Sequence, residues 1–449
     1  MDLISTLRRS LGSDWIITDP EIVAKYSTDW TGRFQGKVVC VVRPTNCWQI
    51  EKTVQIARRL GIALVIQGGN TSLVGGATPV REAIVLSSEK FDDIEIDPVS
   101  KSAVVGAGVT LESLNDAARP FGLKFAVDLA SRGSATMGGM ISTNAGGIHV
   151  IKYGSTRHQI IGIEAVLGNS KVISRMEGLI KDNTGYDWPS ILCGSEGTLG
   201  VITRPIVKLV KIPLHSTVAL IALSSLDDAV ELQTDLQKSF DGIDAIELMT
   251  ASGIELVRKI HPARYPLDNM TAFTLLAEVI GGDSYELELA EFLDRHPVVT
   301  DAVIGCDSQG EGLWLWRELH SEAIAREGLA HKLDVSVPLT VVSEFVRSLE
   351  DLISSGYTGI SPVMFGHLGD GNIHVNLLGE TMDEDLDHEI FALVAGFGGS
   401  ISAEHGIGRA KVSEMSLTRS PDDIEMMQAL KRICDPSMIL NPGVLFPDF

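Results

Sequence analysis

Three glycine-rich segments in the first half of the chain limit most strongly what it can fold into. Each adjoins a short apolar run, and none has the composition of a regular element. The first, Gln67-Gly68-Gly69-Asn70-Thr71-Ser72-Leu73-Val74-Gly75-Gly76, comes directly after Ala63-Leu64-Val65-Ile66, which reads as a short buried strand. A helix precedes that strand, with Asn46 before its first turn, Ile50, Val54 and Ala57 on one face and Gly61 as its stop. Consecutive backbone N–H groups flanked by small or hydroxylated side chains make a nest that suits a diphosphate. No Gly-Lys-Ser/Thr follows, so this is not a Walker loop. The next periodic segment is a strand, Ala83 to Ser87, where a dinucleotide fingerprint requires a helix. The second segment, Ser131 to Gly147, is too glycine-rich for an ordinary helix and too apolar for a solvated linker, so backbone lying close to a flat ligand explains it better. The third, Gly194 to Thr203, ends in a strand-like run after two tight turns. Singly, each more often marks turns between strands; three in one half favour a cofactor site.

Further strands are expected at Ala103 to Val105 and in a hairpin from Ile160 to Leu167 that turns at Gly168-Asn169-Ser170 and resumes at Lys171-Val172-Ile173. From about Pro213 the rhythm changes to strand (Val218 to Leu223), helix (Leu226 to Phe240), strand (Ala245 to Met249), helix, strand (Phe273 to Val279), helix (Tyr285 to Arg295). That order suits an antiparallel sheet covered by helices on one face, and it places a domain boundary near Leu214, dividing 1–213 from 214–449. With 449 residues, 44% of them hydrophobic, both parts are large enough for substantial cores. Five scattered cysteines without a CxxC pair favour neither a disulfide framework nor a thiolate cluster, and a reducing compartment is the simpler reading. The N-terminus lacks a basic segment followed by an apolar run, and no stretch is long enough to span a bilayer, so a cytoplasmic location is expected. A formal charge of −22 repels phosphate backbones and argues against nucleic acid.

Chemistry is written most plainly near the C-terminus. Gly366-His367-Leu368-Gly369-Asp370-Gly371-Asn372-Ile373-His374 and Ala403-Glu404-His405-Gly406 together offer two imidazoles, a carboxylate and a further His, the set a catalytic zinc-type site with an open position needs. A lone His is more often a hydrogen-bonded loop residue; a pair across a Gly-Asp-Gly turn, with a later Glu-His, favours ligation. Asp370 is expected to shape the turn, and the oxygen ligands of a calcium loop are missing at their offsets. Cys193 reads as a small buried filler. These ligands alone do not distinguish an activated water from an activated alcohol, so a metallohydrolase with a water nucleophile stays open at this point.

The glycine-rich stretches, Lys181-Asp182-Asn183-Thr184-Gly185-Tyr186-Asp187, the two histidine segments and the closing Asp435-Pro436-Ser437-Met438-Ile439-Leu440-Asn441-Pro442-Gly443 occur together and in order. In this the chain resembles the FAD-linked D-2-hydroxy acid dehydrogenases of the vanillyl-alcohol oxidase superfamily, the PCMH-type flavoproteins, over nearly its whole length. The Gln67-to-Thr71 and Val74-Gly75-Gly76 sequences are most similar to the branch acting on D-2-hydroxyglutarate, with D-lactate, D-malate or glycolate as alternatives. The resemblance implies an α+β fold: a PCMH-type FAD-binding domain of two subdomains, then a cap domain with an antiparallel sheet and helices, whose final segment (about 400–449) returns to the flavin. It implies FAD bound by Gly68, Gly69, Asn70, Thr71 and Ser72 at the pyrophosphate. Thr136, Gly138, Gly139, Ser142, Thr143 and Asn144 together with Gly197, Gly200, Val201 and Ile202 would lie along the ribityl chain and ring, and Asn441 would approach from the tail. It implies His367, His374 and Glu404 as ligands of zinc or manganese, and His405 as the base. Arg317, Ser321, Lys332 and Asn376 would bind substrate, although similar enzymes commonly have Thr where Ser321 stands. Without the resemblance, Arg317 would read as an Arg snorkelling from an amphipathic helix and Lys332 as a surface strand residue. The resemblance implies an electron-transfer flavoprotein, a cytochrome or a quinone as acceptor, and the absence of a nicotinamide fingerprint argues against NAD; a flavin-free metallohydrolase and a non-catalytic flavoprotein are the alternatives of other classes. A homodimer is the default for a soluble enzyme.

Overall fold

The computed structural model describes residues 2–282, 284–328, 330–379 and 384–448. The chain divides into two compact units. Met1–Gly146, Tyr153–Ile212 and Glu404–Phe449 form the first; Gly147–Lys152 and Pro213–Ala403 form the second. Among the described residues no helix is long and apolar enough to cross a membrane.

The first unit holds two sheets with separate cores. In one, the strands run in the order Ile16–Ile17, Val38–Val42, Ala83–Ser87, Ala63–Gln67, the last three parallel. The helix Cys47–Leu60 provides the crossover that parallel pairing requires. Its ends are those the sequence signals: the Asn46 side chain accepts from Gln49 N at 3.0 Å, and Gly61 closes the helix in the left-handed region. The second sheet is antiparallel, ordered Ile94–Asp97, Ser102–Val105, Gly200–Lys211, Ile160–Leu167, Val172–Arg175, with Leu123–Phe125 also paired to Gly200–Lys211. Two of its strands serve both cores. Because side chains alternate along a strand, Val166 and Val201 enter the core of the parallel sheet while Ala165, Leu167 and Ile202 enter the other.

Within the second glycine-rich segment the structure corrects the sequence reading, for Met137–Thr143 is a short helix. Thr136 caps it, its hydroxyl accepting from Gly139 N at 3.3 Å, and Asn144 ends it with φ 53°. Gly138 is required by packing: a Cβ there would lie 2.8 Å from that of Ala107. Helix propensity is overridden by a close approach.

The last segment of the chain completes the first unit. Leu64 N donates to Ile439 O at 2.8 Å and Asn441 N to Leu64 O at 2.8 Å, so the tail adds a short parallel bridge beside Ala63–Gln67. Lys431, at the end of the helix Pro421–Cys434, holds that tail in place. Its buried ammonium donates to Asp435 Oδ2 at 2.6 Å, Thr198 O at 2.7 Å and Leu440 O at 2.8 Å. Asp435, fully buried, also accepts from Leu440 N at 2.8 Å.

The second unit is built on a seven-stranded antiparallel sheet in the order Val299–Cys306, Ser216–Leu223, Phe273–Ile280, Ile243–Thr250, Ser361–His367, Asn372–Leu378, Ala330–Ser336. Its centre is covered on both faces, not on one. Ile243–Thr250 is buried at every position, which a single covered face does not allow. Val218, Leu220 and Ala222 pack with Ile254 and Val257 of one helix and Trp316 of another, while Ala219, Ile221 and Leu223 are equally buried on the other side of the strand.

His320 lies inside the first of these layers. Its ring is 5.1 Å from that of Phe365, its Nδ1 is 3.2 Å from Arg317 O, and a Cβ on Gly253 would come within 2.6 Å of its Nε2. Burial, helped by the Arg317 charge, pushes its pKa down to about 3. The imidazole is therefore neutral in the fold at every ordinary pH.

Two expectations follow from this packing. Lys431→Met leaves Asp435 charged, buried and unpaired, and should destabilise the protein by roughly 3–5 kcal/mol; a thermal midpoint within a degree of wild type would show that the tail does not depend on this lysine. For His320 the unfolded chain takes up a proton near pH 6.5 that the folded chain accepts only near pH 3. Stability is therefore complete above about 6.5 and falls on acidification by about 1.4 kcal/mol per pH unit in that window. His320→Gln should flatten the dependence of the thermal midpoint on pH between 6.5 and 4.5, and an unchanged slope would assign the acid sensitivity to other groups.

Candidate active site

In the first unit the three glycine-rich segments are packed on one another. A Cβ on Gly69 would collide with Ser134 O, and one on Gly197 would lie 2.6 Å from the Asn441 amide nitrogen. Glu196 N donates to Ser142 O at 2.8 Å and Gly194 N to Ile141 O at 3.0 Å, tying the third segment to the short helix of the second. Much of the glycine content thus serves contact between loops, where sequence reading assigned it to contact with a ligand. The side chains named as cofactor contacts are partly committed to partners within the protein. Ser142 and Thr143 donate back to Gly138 O and Gly139 O, and Asn144 Oδ1 accepts from Ser155 Oγ and Arg157 N, each at 3.0 Å. Val201 and Ile202 are core residues. Asn441 spends its whole amide on backbone: Oδ1 accepts from Ile66 N at 2.8 Å, and Nδ2 donates to Glu196 O at 2.7 Å and Gly76 O at 3.4 Å.

The first loop suits an anion. Among the described residues the backbone N–H groups of Gly69, Asn70, Thr71 and Ser72 have no protein acceptor, and Asn70 sits at φ 53° with its Oδ1 buried and unpartnered. A run of such donors around a left-handed residue is the nest geometry that a diphosphate fits.

The Glu404-His405 segment turns at Gly406, which has φ 82°, and the next turn is anchored by Glu196, whose carboxylate accepts from Ile407 N and Gly408 N, both at 2.8 Å. Burial pushes the Glu196 pKa up to about 7, with those two N–H groups and Lys411 opposing it. Glu404 and His405 are half-buried in this segment.

In the second unit Lys332, His367, His374 and Asn376 lie on neighbouring strands, whereas Arg317 and Ser321 come from the helices Asp307–Glu318 and His320–Glu327. Register sets His367 opposite Glu247, His374 opposite both Phe365 and Asp334, and Asn376 opposite both Lys332 and Val363. His367 and His374 each offer a ligand atom within 4.8 Å of the other, with ring centroids 5.3 Å apart. Both present Nδ1 to a buried carboxylate, His367 to Glu247 at 2.6 Å and His374 to Asp334 at 3.4 Å. A carboxylate on Nδ1 keeps the proton there and leaves the lone pair on Nε2, the arrangement of metal-ligating histidines, so this donor set fits a divalent cation.

Arg317 does not snorkel. It is 8% exposed, its Nε donates to Glu247 Oε2 at 2.7 Å and its guanidinium lies 4.4 Å from the Phe365 ring centroid. Its terminal nitrogens make no protein hydrogen bond among the described residues, which leaves the fork for a carboxylate. Asn376 is buried, donating to Val363 O at 3.3 Å, whereas Lys332 and Ser321 are exposed.

Sequence reasoning missed Glu247, Asp334, Phe365 and Glu196. Glu247 and Asp334 each interrupt an apolar strand, Ile246-Glu247-Leu248 and Leu333-Asp334-Val335, and a charge in such a run is the available signal. Burial alone would raise the Glu247 pKa; His367 and Arg317 outweigh it and hold the carboxyl below the usual glutamate range.

Residues 38–174 match the FAD binding domain model and residues 212–445 the model for the C-terminal domain of FAD linked oxidases. D-2-hydroxyglutarate dehydrogenase of Xanthomonas citri is 34% identical over 99% of this chain and 96% of its own length, and the mitochondrial enzyme of that name from Bos taurus is 34% identical over 96% and 81%. Among solved structures, p-cresol methylhydroxylase with substrate bound superposes with a TM-score of 0.77 at 17% identity, covering 99% of this chain and 96% of that one. The 4-ethylphenol oxidase of Gulosibacter chungangensis gives 0.75 at 18%, covering 99% and 97%. At that identity the two structures establish the fold, α+β of the PCMH type. The FAD binding match sets aside a flavin-free hydrolase, and the full-length relatives place this chain in the FAD-linked D-2-hydroxy acid dehydrogenase family, as an FAD-dependent dehydrogenase.

Proposed function

We propose that this enzyme oxidises D-2-hydroxyglutarate, or failing that D-lactate, D-malate or glycolate, to the 2-keto acid, with a divalent cation as a required partner of FAD. The observation that carries the reading is the pair of imidazoles with carboxylate-bound Nδ1 atoms beside an arginine whose fork is open to an acid group. The names of the curated relatives support the choice of substrate. His367, His374 and Glu404 would hold the cation, zinc or manganese, while Gly68 to Ser72 would take the FAD pyrophosphate, and the 136–144 and 197–202 stretches would flank its ribityl chain and ring. When bound, the cation lowers the pKa of a coordinated hydroxyl and the flavin accepts a hydride.

The chain's own residues do the rest. Arg317, fixed by Glu247 and Phe365, grips a carboxylate through its two terminal nitrogens. Lys332, opposite the buried Asn376, brings a second cation to the strand pair, which suits a substrate with two acid groups. Ser321 offers a hydroxyl. His405 takes the proton of the substrate hydroxyl as the C2–H bond gives up its hydride. Electrons then leave to an external acceptor such as an electron-transfer flavoprotein, a cytochrome or a quinone; a net charge of −22 favours a basic docking surface on a protein acceptor.

Anaerobic mixing with a panel of D-2-hydroxy acids tests the reaction. The wild-type flavin should bleach fastest with D-2-hydroxyglutarate. His405→Ala should keep its flavin and lose reduction by every acid by at least about 100-fold; bleaching at the wild-type rate would remove His405 from the base role. Protein treated with a chelator should remain yellow and stop turning over until zinc or manganese is restored, and full turnover by metal-free protein would refute the cation.

A further inference from the structure

One carboxylate touches both halves of the proposed substrate site. Glu247 lies on Ile243–Thr250, fourth in the order of the seven strands, and strand register sets it opposite His367. It is wholly buried, and its two oxygens have different partners: Oε1 is 2.6 Å from His367 Nδ1 and Oε2 is 2.7 Å from Arg317 Nε. The two imidazoles are not equivalent in this respect, since Asp334 stands farther from His374, at 3.4 Å, and its Oδ1 also accepts from Asn372 Nδ2 at 2.8 Å.

We propose that Glu247 is a positioning residue that couples metal binding to substrate binding, by fixing the His367 tautomer with one oxygen and the Arg317 fork with the other. The inference rests on the metal-dependent reading above. Holding the proton on Nδ1 leaves Nε2 of His367 as the ligating nitrogen and raises its basicity. Engaging Nε of Arg317 turns the other edge of the guanidinium outward, and the Phe365 ring 4.4 Å away keeps the plane from rotating. Both settings come from a single anion, so disturbance of it is felt at the cation and at the acid group together.

Glutamine is the informative replacement because it has the same shape and only one acceptor. If its NH2 faces His367, Nδ1 must accept, the proton moves to Nε2 and the ligand lone pair is lost. If the amide is turned round, its NH2 meets the Nε–H of Arg317, two donors face to face. Either orientation loses one setting.

The test uses full-length, flavin-loaded wild type, Glu247→Gln and Arg317→Met, stripped of metal and titrated with Zn2+ against a chromophoric chelator, with KM and kcat for D-2-hydroxyglutarate measured on the reloaded proteins. Glu247→Gln should lose one of the two settings, showing either a zinc affinity roughly 10–100-fold below wild type or a raised KM, whereas Arg317→Met should raise KM with its zinc affinity unchanged. Wild-type zinc affinity together with a wild-type KM in a folded, yellow Glu247→Gln protein would overturn the proposal and leave the metal reading intact. Failure of the wild type itself to bind either zinc or manganese would instead defeat the metal reading. A second measurement needs no variant of Glu247: histidine 15N spectra of metal-free wild type, with His367 assigned by its absence in His367→Gln, should show the Nδ1–H tautomer, and an Nε2–H tautomer would overturn the proposal.

Discussion

The fold of the first unit depends on the carboxamide of Asn441. Its three hydrogen bonds reach Ile66, Gly76 and Glu196, which lie on the parallel strand, the end of the first glycine loop and the third glycine loop. No hydrophobic contact could fix three backbone segments in register so directly, because an amide offers one acceptor and two donors in a fixed plane. The loops are free to be glycine-rich, and therefore entropically costly to order, because this side chain and the Lys431–Asp435 pair hold their far ends.

The second unit solves a different problem, the placing of charge in an apolar sheet. Glu247, Arg317, His367, Asp334 and Asn372 lie among side chains that exclude water, and each is matched to an opposite charge or a hydrogen-bond partner. A network of this kind contributes little net stability, since desolvation offsets most of the Coulombic attraction. What it secures is orientation: the imidazole and guanidinium planes are held before any ligand arrives, so less conformational freedom remains to be lost on binding.

Legibility in the sequence followed the range of the interaction. The helix Cys47–Leu60 could be read to its ends because Asn46 and Gly61 act within four residues. The histidine pair was visible because His367 and His374 flank a single turn. Glu247 was hidden, since its partner lies 120 positions away and only strand order brings them together. The same holds for the second glycine segment. Whether a missing Cβ faces a ligand, a neighbouring loop or Ala107 is decided by tertiary structure, so composition alone suggested an irregular stretch where a capped helix stands. Arg317 shows the error in the opposite direction: an amphipathic pattern predicts an exposed head group, and one buried acid on a distant strand reverses it.

The interrupted makeup of the first unit has a consequence for biosynthesis. Residues 404–449 supply the Lys431 anchor and the Leu440 bridge, yet they leave the ribosome only after the whole of the seven-stranded unit has been made. An amino-terminal domain ordinarily folds while the remainder is still being translated. Here the sheet edge at Ala63–Gln67 has to wait, exposed, for a segment made more than three hundred residues later, and a chain that stops short of it would carry a complete sequence for its N-terminal nucleotide-binding lobe without the means to close it.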